Sequence, residues 1–159
     1  MTLRLEDIEL IKRTKYLYCR GIDTCDIDLL DTLFTDDINI DYQGGTYRFQ
    51  ACGKAAVLGA LRQAFHGQFV GSHTVHHPII DVHDDDTADG HWTLVDFALE
   101  LNRNSQTQGS AFYRDKYVKR DGRWLITQAT YSRLFERVGP IERHLQLTAH
   151  YLADRHRPS

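Results

Sequence analysis

Apolar residues near the start of the chain recur every three to four positions: Leu5, Ile8, Ile11, Tyr18 and Ile22 form one stripe, which Leu10 and Leu17 widen. That period predicts an amphipathic helix over about residues 4–21, with Tyr18 on its buried side. Ile27, Leu30 and Phe34 repeat the spacing within 24–34 and predict a short second helix. The alternation Ile38-Asn39-Ile40-Asp41-Tyr42 then reads as a strand ending near Tyr42, Gly44-Gly45 as a turn, and 46–49 as the returning arm of a hairpin. Val57, Leu58, Leu61 and Phe65 give a further helix over about 53–66.

After Gly71 the period changes to that of strands. Four long segments, 72–82, 91–102, 110–120 and 124–136, are separated by turn chemistry such as Asp84-Asp85-Asp86 and Asp121-Gly122. Helices first and a meander afterwards predict an α+β domain, with helices covering one face of a curved, mainly antiparallel sheet. Beyond Pro140, Ile141, Leu145 and Leu152 fall at near-helical intervals, which suits a segment that caps the sheet or touches a second subunit. No repeat or low-complexity linker interrupts the chain, so residues 1–159 read as one domain.

Composition narrows the function classes. Nineteen basic against twenty-two acidic residues give a net charge of −3, and the basic residues form no stripe, which argues against a nucleic-acid partner. No apolar run approaches the roughly 18 residues that span a bilayer, and the first residues lack the apolar core of a signal peptide. The expectation is a cytoplasmic protein with no membrane partner. Cys19, Cys25 and Cys52 form no Cys-x-x-Cys pair, and their odd number suits reduced thiols.

Nine histidines invite a metal reading, above all His73, His76 and His77. Strand geometry argues against it: His73 and His77 share a face but stand roughly 13 Å apart, and His76 points the other way. No cofactor motif is present, so neither metal nor cofactor is expected. His73 has the strand parity of Val75 and Ile79 and faces the apolar side, either as a hydrogen-bonded core residue or as a general base. Asp96 lies in the apolar strand Trp92-Thr-Leu-Val-Asp96-Phe-Ala-Leu and needs a partner there, for which a histidine or tyrosine would serve. Tyr18 and Asp23 flank the end of the first helix; Tyr18 could be core, and Asp23 could cap the following helix. Tyr42, at a strand end, could equally be ordinary packing.

Taken together, Tyr18-Cys-Arg-Gly-Ile-Asp23, Asn39-Ile-Asp-Tyr42, Ser72-His73-Thr-Val-His76, Gly90-His-Trp-Thr-Leu-Val-Asp96 and Ala111-Phe-Tyr-Arg-Asp-Lys-Tyr-Val-Lys-Arg-Asp-Gly-Arg-Trp124 resemble the SnoaL-like, nuclear transport factor 2-like superfamily. The resemblance is to its scytalone dehydratase and bile-acid 7α-dehydratase branch, over about residues 8–137, and implies a cone-like α+β barrel. It implies a cofactor-free lyase that eliminates water beside a carbonyl, with Tyr18, Asp23, Tyr42, His73 and Asp96 as catalytic residues and Trp92, Phe112 and Tyr131 against the substrate. The implied partner is a small hydrophobic ring-containing molecule, and the implied assembly a homodimer or homotrimer.

A His73/Asp23 pair is similar to the dyad of hexachlorocyclohexane dehydrochlorinase, another eliminating enzyme of this fold. Asp96 stands where scytalone dehydratase has a second histidine, and whether Asp23 or Asp96 partners His73 is left open. An isomerase or cyclase would share the first proton abstraction. A non-catalytic small subunit, as in ring-hydroxylating dioxygenases, would share the fold alone.

Overall fold

A computed structural model describes residues 3–144 and 146–155. Leu145, one of three residues behind the C-terminal helix expectation, and the tail after Arg155 lie outside them. Helix α1 (Leu5–Thr24) buries Ile11, Thr14, Lys15, Tyr18, Cys19 and Ile22 along one stripe. Leu10, expected to widen that stripe, is exposed. The helix ends where Cys25 takes a left-handed conformation (φ 47°), and its amide returns to Gly21 and Ile22.

Helix α2 (Ile27–Asp31) is capped by Asp26, whose Oδ1 accepts from the Leu29 amide at 3.0 Å. Asp23 is thereby released from the capping role that the sequence allowed it. Strands β1 (Phe34–Gln43) and β2 (Arg48–Cys52) form the expected hairpin, followed by helix α3 (Lys54–Ala64). The four long strands are β3 (Phe69–Val82), β4 (Thr87–Glu100), β5 (Ser105–Arg120) and β6 (Arg123–Pro140), each starting earlier than predicted, β6 also ending later and β4 ending two residues sooner.

The six strands form one sheet in the order β2-β1-β6-β5-β4-β3, antiparallel except where β1 runs parallel to β6. Helix α1 lies across β3 and β6, and α3 across β1 and β2, so the helices close one side of a curved sheet. The C-terminal stretch packs against β3 and the end of α1. A short helix α4 (Tyr151–Asp154) buries Leu152, His150 Nε2 bonds the Phe69 carbonyl oxygen at 2.9 Å, and Arg155 donates to the Thr24 carbonyl at 2.9 Å.

The closed end of the fold is filled. Ile11, Phe34, Ile38, Ile40, Trp92 and Ile126 pack there around a fully buried ion pair, Lys15 Nζ to Asp115 Oδ2 at 2.8 Å. The ammonium lies over the rings of Tyr113 and Tyr18, 3.4 and 4.6 Å from their centroids. Tyr117 donates to the same Asp115 oxygen at 2.9 Å and receives the Trp92 indole N–H at 3.2 Å. Burial pushes the Asp115 carboxyl above the ordinary range against the pull of Lys15. No helix among the described residues is long and apolar enough to cross a membrane.

Candidate active site

Above that filled end the sheet opens into a cavity of about 510 Å3. Its floor carries Tyr18, Tyr42, Leu94 and Tyr113, its helix side Leu61 and Phe65, and its mouth Tyr47, Asp96, Glu100, Arg103 and Arg133. Strand parity decides who faces in. His73 and Asp96 are direct register partners across β3 and β4, so their side chains leave the sheet on the same face. Both line the cavity.

His73 is bound to Asp23. Its Nδ1 lies 2.6 Å from Asp23 Oδ1, and its backbone amide donates to Asp23 Oδ2 at 3.0 Å. A carboxylate can only accept, so Nδ1 carries a proton, and in the neutral ring the lone pair is on Nε2. Phe65 holds the ring edge-on at 6.1 Å. The sequence left open which aspartate partners His73; the geometry assigns Asp23, from the last turn of α1.

Asp96 has a different partner from the histidine or tyrosine expected. Arg133 grips it with two bonds, Nη1 to Oδ1 at 2.5 Å and Nη2 to Oδ2 at 2.9 Å, while Nε bonds Glu136 Oε2 at 3.0 Å. The reason lies in backbone detail. A bulge at Leu134 brings Glu136 to the cavity face, while Arg133, paired with Ala111, already has the inward parity of Ala129 and Tyr131. Gly109, opposite Asp96, makes room for it: a Cβ there would stand 2.8 Å from Arg133 Nη1 and 2.8 Å from the Phe135 carbonyl oxygen.

Tyr18 and Tyr42 share a hydrogen bond between their hydroxyls at the cavity floor. Tyr42 stacks on Tyr131 at 4.5 Å, and Tyr113 meets both edge-on. Burial raises the pKa of Tyr18, Tyr42, Tyr113 and Tyr131, which keeps all four phenols protonated as hydrogen-bond donors. At the mouth, the β1–β2 turn is tied to β6 through Tyr47 with Tyr131, and through Thr46 Oγ1 with Glu136 Oε1 at 3.1 Å.

Of the residues expected to chemically serve a substrate, Tyr18, Tyr42, His73 and Asp96 line one cavity, with Asp23 behind His73. Tyr131 lines it too, but Trp92 and Phe112 do not. Trp92 has the inward parity but sits deeper, 1% exposed, with its indole spent on Tyr117. Phe112 lies between the inward-facing Ala111 and Tyr113, so the alternation of β5 turns it to the outer face, where it is 50% exposed.

Sequence reasoning missed Tyr113, Tyr47, Arg133 and Glu136. The parity of Tyr113 with Ala111 and Asp115 was a usable signal. The parity of Arg133 with Ala129 and Tyr131 was another, whereas Glu136 faces inward only through the bulge after Arg133, which alternation does not reveal. No group of three or more His, Cys, Asp or Glu side chains suited to a metal ion exists among the described residues.

A curved sheet wrapped by helices around a cavity is an architecture shared with known proteins. The SnoaL-like domain model matches residues 3–130, and the chain belongs to that family, within the nuclear transport factor 2-like superfamily. A scytalone dehydratase-like protein from Novosphingobium aromaticivorans is 22% identical, with a TM-score of 0.74 over 87% of this chain and 95% of that one. A hexachlorocyclohexane dehydrochlorinase is 15% identical, with a TM-score of 0.75 over 92% and 97%. A protein described as an aromatic ring hydroxylase, also from Novosphingobium aromaticivorans, is 18% identical, with a TM-score of 0.77 over 87% and 96%. At these identities the likeness speaks for the fold.

Proposed function

We propose that the protein is a cofactor-independent dehydratase in which the His73–Asp23 dyad removes the acidic proton beside a carbonyl of a steroid-like or polyketide-like ring. The observation that carries this reading is the 2.6 Å bond fixing Nδ1 of a ring that also lines a largely apolar cavity. Its volume of about 510 Å3 falls within the ~300–1,000 Å3 of pockets that hold drug-sized ligands.

The steps balance without a co-reactant. Nε2 of His73 takes the C–H proton, and the electron pair passes to the carbonyl oxygen as an enolate, with Asp23 stabilising the imidazolium. The Tyr18–Tyr42 pair donates to that oxygen. Collapse of the enolate restores the carbonyl, forms the double bond and expels the β-hydroxyl, which takes the imidazolium proton and leaves as water. Asp96, clamped by Arg133, positions the ring substituents at the mouth.

General acid–base help supplies about 10²–10⁴-fold and one oxyanion donor a further ~10²–10³-fold, enough for a proton already activated by a carbonyl. The convex side of the sheet exposes Val95, Phe97, Phe112 and Leu134, which supports assembly into a homo-oligomer.

The test is a turnover screen on β-hydroxy ketones of polycyclic and phenolic polyketide-like skeletons, read as formation of the conjugated enone, with His73→Ala run beside the wild type. Enone formation that disappears in the variant is the expected result. Enone formation that is equal in both removes His73 from the mechanism.

A further inference from the structure

The dyad forms a wall with two sides. His73 lines the inner cavity, but Asp23 does not. On the far side of α1 and β3, Asp23 and His73 together line a separate outer groove of about 400 Å3, bounded by Tyr16, Arg20, Thr74 and Val75. The side chain of Asp23 is 26% exposed and that of His73 16%, although the cavity side of the ring is walled by phenols and apolar groups. Each Asp23 oxygen spends one lone pair on His73 and keeps its remaining acceptor capacity for other donors. Cys19 also borders this groove, as a neutral thiol that burial pushes up to about 11. Arg20 makes no ion pair among the described residues.

We propose that this outer groove is a solvent port of the dyad: a site for water that reaches His73 through Asp23 while an apolar molecule fills the inner cavity. The port deepens the dehydratase reading, on which it rests only for the identity of what fills the cavity. An apolar substrate that fits the cavity expels its water. A dyad open only to that side would then be cut off from solvent until product left. With the port, a hydron on Nδ1 exchanges for one from groove water at the Asp23 oxygens, with no net change of charge.

Asp23→Ala removes the carboxylate and leaves a gap open to the groove, and formate is the smallest carboxylate that refills it. The probe is 13C-formate, followed by NMR exchange between free and bound ligand and by the return of the His73 ring shifts toward wild type. Asp23→Gly serves if alanine disturbs the helix end. Two second substitutions separate the routes: Thr74→Trp, at an exposed position, fills the groove, and Ala98→Trp narrows the cavity.

The expected result is fast formate exchange in Asp23→Ala, kept in Asp23→Ala/Ala98→Trp and lost in Asp23→Ala/Thr74→Trp. Loss of exchange on narrowing the cavity but not on filling the groove would overturn the port. So would formate that leaves the His73 ring unchanged in both single variants. No arm uses turnover, so a failure of the dehydratase reading remains distinguishable from a failure of the port.

Discussion

Replacing Lys15 by methionine keeps the length and most of the volume of the side chain but leaves Asp115 fully buried without its cation. One Asp115 oxygen already has no hydrogen-bond partner among the described residues, so the carboxylate depends on Lys15 and on the single Tyr117 hydroxyl. Removing one member of a buried pair costs about 3–5 kcal/mol, because the survivor is an uncompensated charge. For a domain of this size each kcal/mol moves Tm by roughly 2–4 °C, so Lys15→Met should melt on the order of 6–20 °C below wild type at neutral pH.

The pH dependence has a definite sign. Burial raises the carboxyl pKa of folded Asp115 above its unfolded value, and losing Lys15 raises it further. Between those values the native state holds the extra proton, so its stability falls as pH rises through the window and is regained on acidification. The deficit of Lys15→Met should therefore shrink in mild acid, and Lys15→Met/Asp115→Leu should recover most of it at neutral pH. Thermal melts by circular dichroism at both pH values read all three effects. A single variant as stable as wild type at neutral pH, or a double variant no better than the single, refutes the reasoning.

Further outcomes are expected elsewhere in the molecule. Gly109→Ala places a methyl 2.8 Å from the Arg133 guanidinium and should cost about 1–3 kcal/mol in a denaturant melt while loosening binding of cavity ligands; unchanged stability would mean that Arg133 does not need that space. Asp7 bonds Lys119 and the Trp124 indole, both at 2.8 Å, and chiefly the Lys119 bond holds its carboxyl below the ordinary value of 3.8. Its contribution is present above that value and lost as pH falls through the folded pKa, so Asp7→Asn should flatten the acid limb of a stability–pH curve. Phe112→Glu should lower the mass seen by light scattering if the convex face is an interface, and a mass that stays oligomeric would place the interface elsewhere.

Local periodicity made most of the fold legible. The stripe through Ile11, Tyr18 and Ile22 located α1 and its buried face, and the Asp121-Gly122 turn located the β5–β6 hairpin. Strand lengths were less legible, because β5 and β6 are kept in the sheet past their apolar runs by pairing with neighbours, as Ser105 with Pro140 shows. The parallel pairing of β1 with β6 left no local mark at all. Parity also oriented Asp96, and His73 through Val75, although Ile79, grouped with them in the sequence, lies past a register shift and is exposed.

What could not be read were contacts between segments far apart in sequence. The Asp23–His73 bond joins positions 50 apart, and the Asp96–Arg133 clamp joins positions 37 apart beside the glycine at 109. Parity likewise could not tell Trp92, deep in the filled end, from Leu94, two residues nearer the mouth.

The central claim is that His73, held by Asp23, takes a proton from carbon beside a carbonyl inside the cavity. A saturated cyclic ketone without a leaving group isolates that step, since incubation in deuterium oxide exchanges only the proton that is removed. Mass spectrometry should show deuterium entering the ketone with wild-type protein and a rate about 10²–10⁴-fold lower with His73→Ala. Equal incorporation by both proteins would contradict the account.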